Sequence, residues 1–101
     1  MKQQVFVIGG GASGMMAALM AAETGAAVTL LEKNDRLGKK MLITGKGRCN
    51  VTTNKDINEI INSFVHNGKF LYTALNNFSN QQVQQFFEAA GVPLKVERGN
   101  R

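Results

Sequence analysis

The stretch Val5-Phe6-Val7-Ile8-Gly9-Gly10-Gly11-Ala12-Ser13-Gly14 decides the fold of this 101-residue chain. Its first four residues are apolar and mostly β-branched, as expected of a parallel strand buried on both faces. The glycines turn the chain. Residues 12 to about 24, rich in Ala, Met and Leu, then read as a helix, with Gly25 placed as its C-cap glycine. A second apolar run, Ala27-Val28-Thr29-Leu30-Leu31, ends at Glu32. Strand, glycine turn, helix and strand form a β-α-β unit, whose crossover is expected to be right-handed.

Gly9, Gly11 and Gly14 fit the pattern G-x-G-x-x-G in the context it requires, after a strand and opening a helix. Gly9 permits the tight turn, Gly11 lets a pyrophosphate approach the backbone, and Gly14 lets the helix pack close to the sheet. Ala12 and Ser13 stand at the helix start, where unpaired N–H groups and the helix dipole favour an anion. Glu32 lies where an acid hydrogen-bonds ribose hydroxyls. An acid there disfavours a 2′-phosphate, so FAD or NAD rather than NADP is expected at this site. A P-loop is excluded twice over: Met15 takes the place of its lysine, and Lys40 stands where Gly45-Lys46 would need a leading glycine.

Hydrophobic residues make up 44% of the chain and charged residues 19%, a globular balance that argues against disorder. The length suits one domain with a modest core. No apolar run approaches the roughly 20 residues that cross a bilayer. Residues 5–8 are also too short for the apolar part of a secretory leader, so a cytoplasmic protein is expected. The single Cys49 excludes an internal disulfide, and no metal is called for. The net charge of +5 has a local origin. Six of twelve basic residues, Lys33, Arg36, Lys39, Lys40, Lys46 and Arg48, fall within residues 33–48, with Asp35 the one acid among them. Beside a phosphate-binding motif such a cluster suits an anion. No aromatic residue interleaves it as a nucleic-acid stacking platform requires, which disfavours a nucleic-acid partner.

Residues 33–53 show no sustained periodicity and read as a long functional loop. Three helical patterns follow, each with apolar residues at i, i+3, i+4 and i+7: Ile57, Ile60, Ile61 and Phe64; Leu71, Ala74, Leu75 and Phe78; Val83, Phe86, Phe87 and Ala90. Ser79 and Gln82 resemble a capping box for the third, which Gly91 and Pro93 stop. Leu94-Lys95-Val96-Glu97 alternates like the start of a strand. The expected fold is α/β. A Rossmann-like β-α-β unit with a basic glycine-rich loop (residues 1–53) precedes a small helical segment (residues 54–101), together an incomplete domain.

Residues 36–52, Arg36-Leu37-Gly38-Lys39-Lys40-Met41-Leu42-Ile43-Thr44-Gly45-Lys46-Gly47-Arg48-Cys49-Asn50-Val51-Thr52, resemble a family pattern, R-x-G-[RK]-K-x-x-x-[ST]-G-x-G-R-C-N-x-T. It belongs to the bacterial YhiN/BaiN-like NAD(P)/FAD-dependent oxidoreductases. The resemblance covers residues 5–52 and is looser beyond. It implies FAD as cofactor and NAD(P)H as co-substrate. The implied reaction is reduction of a small organic molecule, steroid-like bile-acid intermediates and small amines among the proposed ones. Carried over by position, Glu32 holds the adenosine ribose, with Lys33 beside it. Lys39 and Lys40 lie near the diphosphate or ribityl chain, and Gly47, Arg48, Cys49 and Asn50 approach the isoalloxazine. Lys46 departs from the small residue usual between the two glycines.

Each of these residues also has a plainer reading. Lys39 and Lys40 suit a solvated loop, Asn50 suits a cap, and Cys49 suits packing as well as reactivity. A lone Arg in a glycine-rich turn, such as Arg48, often fixes an anion bidentately. No catalytic acid or base is named. Two other classes stay open: a flavin-dependent RNA-modifying enzyme and a non-catalytic nucleotide-binding module. Only two strands are identifiable where a complete mononucleotide half has three. The chain is therefore expected to be the N-terminal part of an enzyme, inactive alone. Its bare strand edges and apolar surface are expected to make it self-associate.

Overall fold

The structure, a computed structural model, describes residues 2–43 and 49–101. It divides into two compact units, Met1–Cys49 and Asn50–Arg101.

In the first unit β1 (Gln4–Ile8) pairs in parallel with β2 (Ala27–Leu31), in a register running from Gln4 beside Ala27 to Ile8 beside Leu31. The ladder continues past both ends, where the Ala27 N–H donates to the Gln3 carbonyl and the Gly9 N–H to the Leu31 carbonyl, each at 2.8 Å. Helix α1 (Ala12–Glu23) packs on both strands. An added Cβ at Gly14 would collide with the Gly9 carbonyl oxygen and lie 3.6 Å from Val7 Cγ1. Only glycine lets α1 come this close. The helix ends where Gly25, at φ +93°, turns its N–H to the Ala22 carbonyl at 3.0 Å.

The side chains alternate along both strands, so Val5, Val7, Val28 and Leu30 are half-buried and their neighbours exposed. Phe6 and Ile8 keep 62% and 77% of their surface open. The expectation of strands buried on both faces is therefore corrected: among the described residues one face is covered, because one crossover helix can cover only one. Residues 33–53 are also not loop throughout, since a short helix, α2 (Lys39–Ile43), forms within them. Its five residues are too few to register as periodicity.

In the second unit α3 (Ile57–Asn62) starts at Asp56, whose carboxylate accepts the Glu59 N–H at 2.9 Å. A 3-10 turn (Gly68–Leu71) leads into α4 (Tyr72–Asn77), and α5 (Asn80–Ala89) follows. Ser79 and Gln82 form the expected capping box, the Ser79 side chain accepting the Gln82 N–H and the Gln82 side chain the Ser79 N–H. Caps of this kind stabilise by about 1 kcal/mol. Ile61 is buried between the helices, and Phe86 meets Phe78 and Phe87 edge to face. Buried Asn80 donates to the Thr53 and Lys55 carbonyls at 2.7 Å each, tying the approach to α3 onto α5.

The apolar patterns overrun two of these helices. Phe64 follows the Ser63 cap of α3, and Phe78 breaks α4 with extended backbone at φ −145°. Nor do residues 94–97 form a strand. The Glu97 N–H and carbonyl are engaged by Arg101 and Asn100, and the Asn100 carbonyl accepts the Asn54 N–H at 2.7 Å. A strand needs a partner strand, and this tail spends its groups on a turn and a loop instead. Among the described residues no helix is long and apolar enough to cross a membrane.

Gly14→Ala tests the close approach of α1. The added methyl group meets backbone that cannot move aside, so stability should fall by about 1–3 kcal/mol in urea unfolding. An unchanged midpoint would contradict the packing described.

Candidate functional site

The glycine turn is built around one peptide. Gly9 leaves β1 at φ +100°, a conformation few other residues adopt. Gly10 is held on every side: its N–H donates to Glu32 Oε1 at 2.8 Å, and its carbonyl accepts the Gly38 N–H at 2.8 Å. An added Cβ there would lie 2.5 Å from Leu37 Cδ2 and 3.2 Å from Glu32 Oε1. Gly10 and Gly38 are the buried residues of this unit among those described.

Gly11 differs sharply. It is the N-cap of α1, exposed, and an added Cβ would meet no atom within 4 Å. Among the described residues nothing requires glycine there, which suits a requirement set by a ligand. No side chain caps α1, no acid occupies its first turn, and Ala12 and Ser13 are exposed. The first N–H groups of a helix have no carbonyl within the helix to donate to. Here they belong to exposed residues at the positive end of a 12-residue helix, the arrangement that receives a phosphate.

Half-buried Glu32 follows β2 directly, and its second oxygen accepts the Asn34 N–H at 2.8 Å. The Asn34 N–H, then the Gly10 N–H, hold its carboxyl below the usual carboxylate range, against partial desolvation. The Asn34 side chain and the charge of Lys33 act in the same direction. Each carboxylate oxygen accepts more than one hydrogen bond, so a ribose hydroxyl can still donate. The acid is ionised and oriented before any ligand arrives.

Gly9, Gly11, Ala12, Ser13, Gly14 and Glu32 thus come together at one end of the sheet. Lys33 is exposed beside Glu32. Lys39 and Lys40, also exposed, open α2 immediately after Gly38, so they begin one residue from the peptide bonded to Gly10. Gly47 and Arg48 lie outside the described residues. Cys49 ends the first unit as an exposed free thiol, and exposed Asn50 begins the second. Sequence reasoning missed Gly10, Asn34 and Gly38. G-x-G-x-x-G leaves Gly10 variable, and its negative φ gives no conformational reason for glycine. The one available signal was Gly38, a fixed glycine of the loop pattern.

This arrangement defines the class: a Rossmann-type dinucleotide-binding domain. The family model described as HI0933-like protein Rossmann domain matches residues 3–101, and the chain belongs to that family. The family resemblance drawn from residues 5–52 is borne out. A 3-dehydro-bile acid delta(4,6)-reductase of Clostridium scindens is 37% identical over 95% of this chain and 24% of its own length. A ribosomal RNA dihydrouridine synthase of Escherichia coli is 41% identical over 46% of this chain and 12% of its own. Its namesake in Haemophilus influenzae is 32% identical over 73% and 18%. The chain spans a quarter or less of the length of these relatives.

The lowered carboxyl of Glu32 makes a pH prediction. A depressed carboxylate contributes stability above its unfolded pKa and loses it as pH falls through the folded value. The stability difference between the protein and Glu32→Gln should therefore be constant at neutral pH. It should shrink as pH falls through the ordinary carboxylate range and below it. Denaturant midpoints across an acid series measure it, and a difference that ignores pH would detach Glu32 from these N–H groups.

Proposed function

We propose that the chain is the FAD-binding portion of a flavin-dependent, NAD(P)H-linked oxidoreductase of the cytoplasm; the one cysteine of these 101 residues suits a reducing compartment. The observation carrying this is the open backbone at Gly11, on an uncapped helix start next to an acid held by the Gly10 and Asn34 N–H groups. The residues fit an ADP moiety. The N–H groups of residues 11–14 would hold the diphosphate and Glu32 the adenosine ribose, with Lys39 and Lys40 adding positive charge. Bound FAD would supply hydride acceptance and delivery; orienting and tuning it falls to the protein. Gly47, Arg48, Cys49 and Asn50 are our choice for the residues nearest the isoalloxazine.

The relatives support reduction as the reaction. A reductase and a maker of dihydrouridine each add hydrogen to an organic substrate. A small unsaturated molecule is the preferred substrate, on the broader match to the bile-acid reductase. The names of the other two relatives favour an RNA base as the second reading. The positive charge of the chain suits either anionic partner.

The native protein should carry a visible flavin spectrum that bleaches on adding NADH or NADPH. An unsaturated steroid acid or ribosomal RNA should restore it, and which one does so separates the two readings. A colourless protein that binds ADP would leave only a nucleotide-binding module. Gly11→Ala should lose flavin while stability changes by no more than about 1 kcal/mol, since its methyl group enters space the ligand needs. Normal flavin content in that variant would move the diphosphate elsewhere.

A further inference from the structure

We infer that Leu37 is a positioning residue for the nucleotide site, acting through Glu32 and Gly10. The inference rests on the turn being a nucleotide site. The space above the Gly10 α-carbon is shared by Leu37 Cδ2 and Glu32 Oε1, which would lie 2.5 Å and 3.2 Å from the same added Cβ. Leu37 therefore packs on the α-carbon face of Gly10, beside the hydrogen bond that the Gly10 N–H donates to the Glu32 carboxylate. An apolar side chain there keeps water from competing for the acceptor and lowers the local dielectric, which strengthens the bond.

The backbone fixes this approach. Gly38, the next residue, is buried at φ +66°, and its N–H is bonded to the Gly10 carbonyl. Residues 37 and 38 thus close on Gly10 from two sides, one by packing and one by a hydrogen bond. About half of Leu37 remains exposed. A surface leucine is ordinary, so its exposure carries no weight. What distinguishes it is the contact with a buried peptide that shapes the turn. Without the cover, Glu32 Oε1 is free to exchange its N–H partner for water, and a ligand must then order the turn as it binds. Among the described residues the charge acting on Glu32 is that of Lys33 on its own segment; Gly10 and Leu37 bring none, and the first turn of α1 holds no acid.

ADP titrated into the protein and its variants tests this. Leu37→Ala should bind ADP about five- to tenfold more weakly at neutral pH, as expected when a charge-assisted hydrogen bond is loosened. Leu37→Met, which keeps an apolar cover, should restore binding. Leu19→Ala, which trims a comparably exposed leucine of α1, should leave it unchanged. The decline of ADP affinity with acid should begin at higher pH in Leu37→Ala, because the Glu32 carboxyl returns toward its ordinary range. The titration of ADP itself is common to both proteins. In a Glu32→Ala background, which leaves the Gly10 N–H no side-chain acceptor, Leu37→Ala should cost nothing further. Equal affinity and an equal pH profile, or an undiminished cost in that background, would overturn the inference. Should Leu37→Ala not fold, Leu37→Val replaces it: weaker binding than Leu37→Met supports the role, and equal binding refutes it. A parent protein that binds no ADP overturns the nucleotide reading, and this inference with it.

Discussion

The site depends on how the Gly10 peptide is held. Its N–H is spent on Glu32, its carbonyl on Gly38, and its α-carbon face on Leu37. With Gly10 fixed, Gly9 must leave the strand at positive φ and Gly11 must start the helix with its backbone bare. One buried peptide thereby sets both halves of the proposed binding surface. The helix start is exposed and uncapped, and the acid is bonded to the residue before it. Three glycines in a row look redundant in sequence, yet each answers a different constraint: conformation at Gly9, crowding at Gly10, and openness at Gly11.

Crowding also explains why the helix stands where it does. Gly14 brings α1 against the Gly9 carbonyl, so the helix that offers its N-terminus to an anion is seated on the same turn that Gly10 anchors. The strands it covers are apolar on both sides, and the face bearing Phe6, Ile8 and Leu31 lies exposed. Parallel sheets are normally covered on both faces, so this surface is suited to burial even though one helix does not reach it.

Much of this was legible in residues 5–32. A continuous apolar run, a glycine motif, an alanine-rich helix and a second run ending in an acid permit few folds, and β1, α1 and β2 form where the pattern puts them. Helix caps were legible too, since Ser79 and Gln82 act at fixed spacing. Legibility failed where the answer depends on contacts distant in sequence. Periodicity carried α3 and α4 into Phe64 and Phe78 because apolar residues outside a helix can still face its core. Alternation at residues 94–97 resembled a strand, but hydrogen bonding by Asn54, Asn100 and Arg101 decides that segment. Within the site, Glu32 was read as a ribose ligand alone. Its bonds to Gly10 and Asn34 span different separations and belong to no motif.

The central claim is that a nucleotide diphosphate lies on the backbone of residues 11–14. Backbone amide resonances of the protein, followed while ADP is added, measure it most directly. The account predicts that the largest shifts fall on Gly11, Ala12, Ser13 and Gly14, with smaller ones at Gly10 and Asn34 reporting through Glu32. Saturable ADP binding that leaves these amides unmoved and shifts others would contradict it.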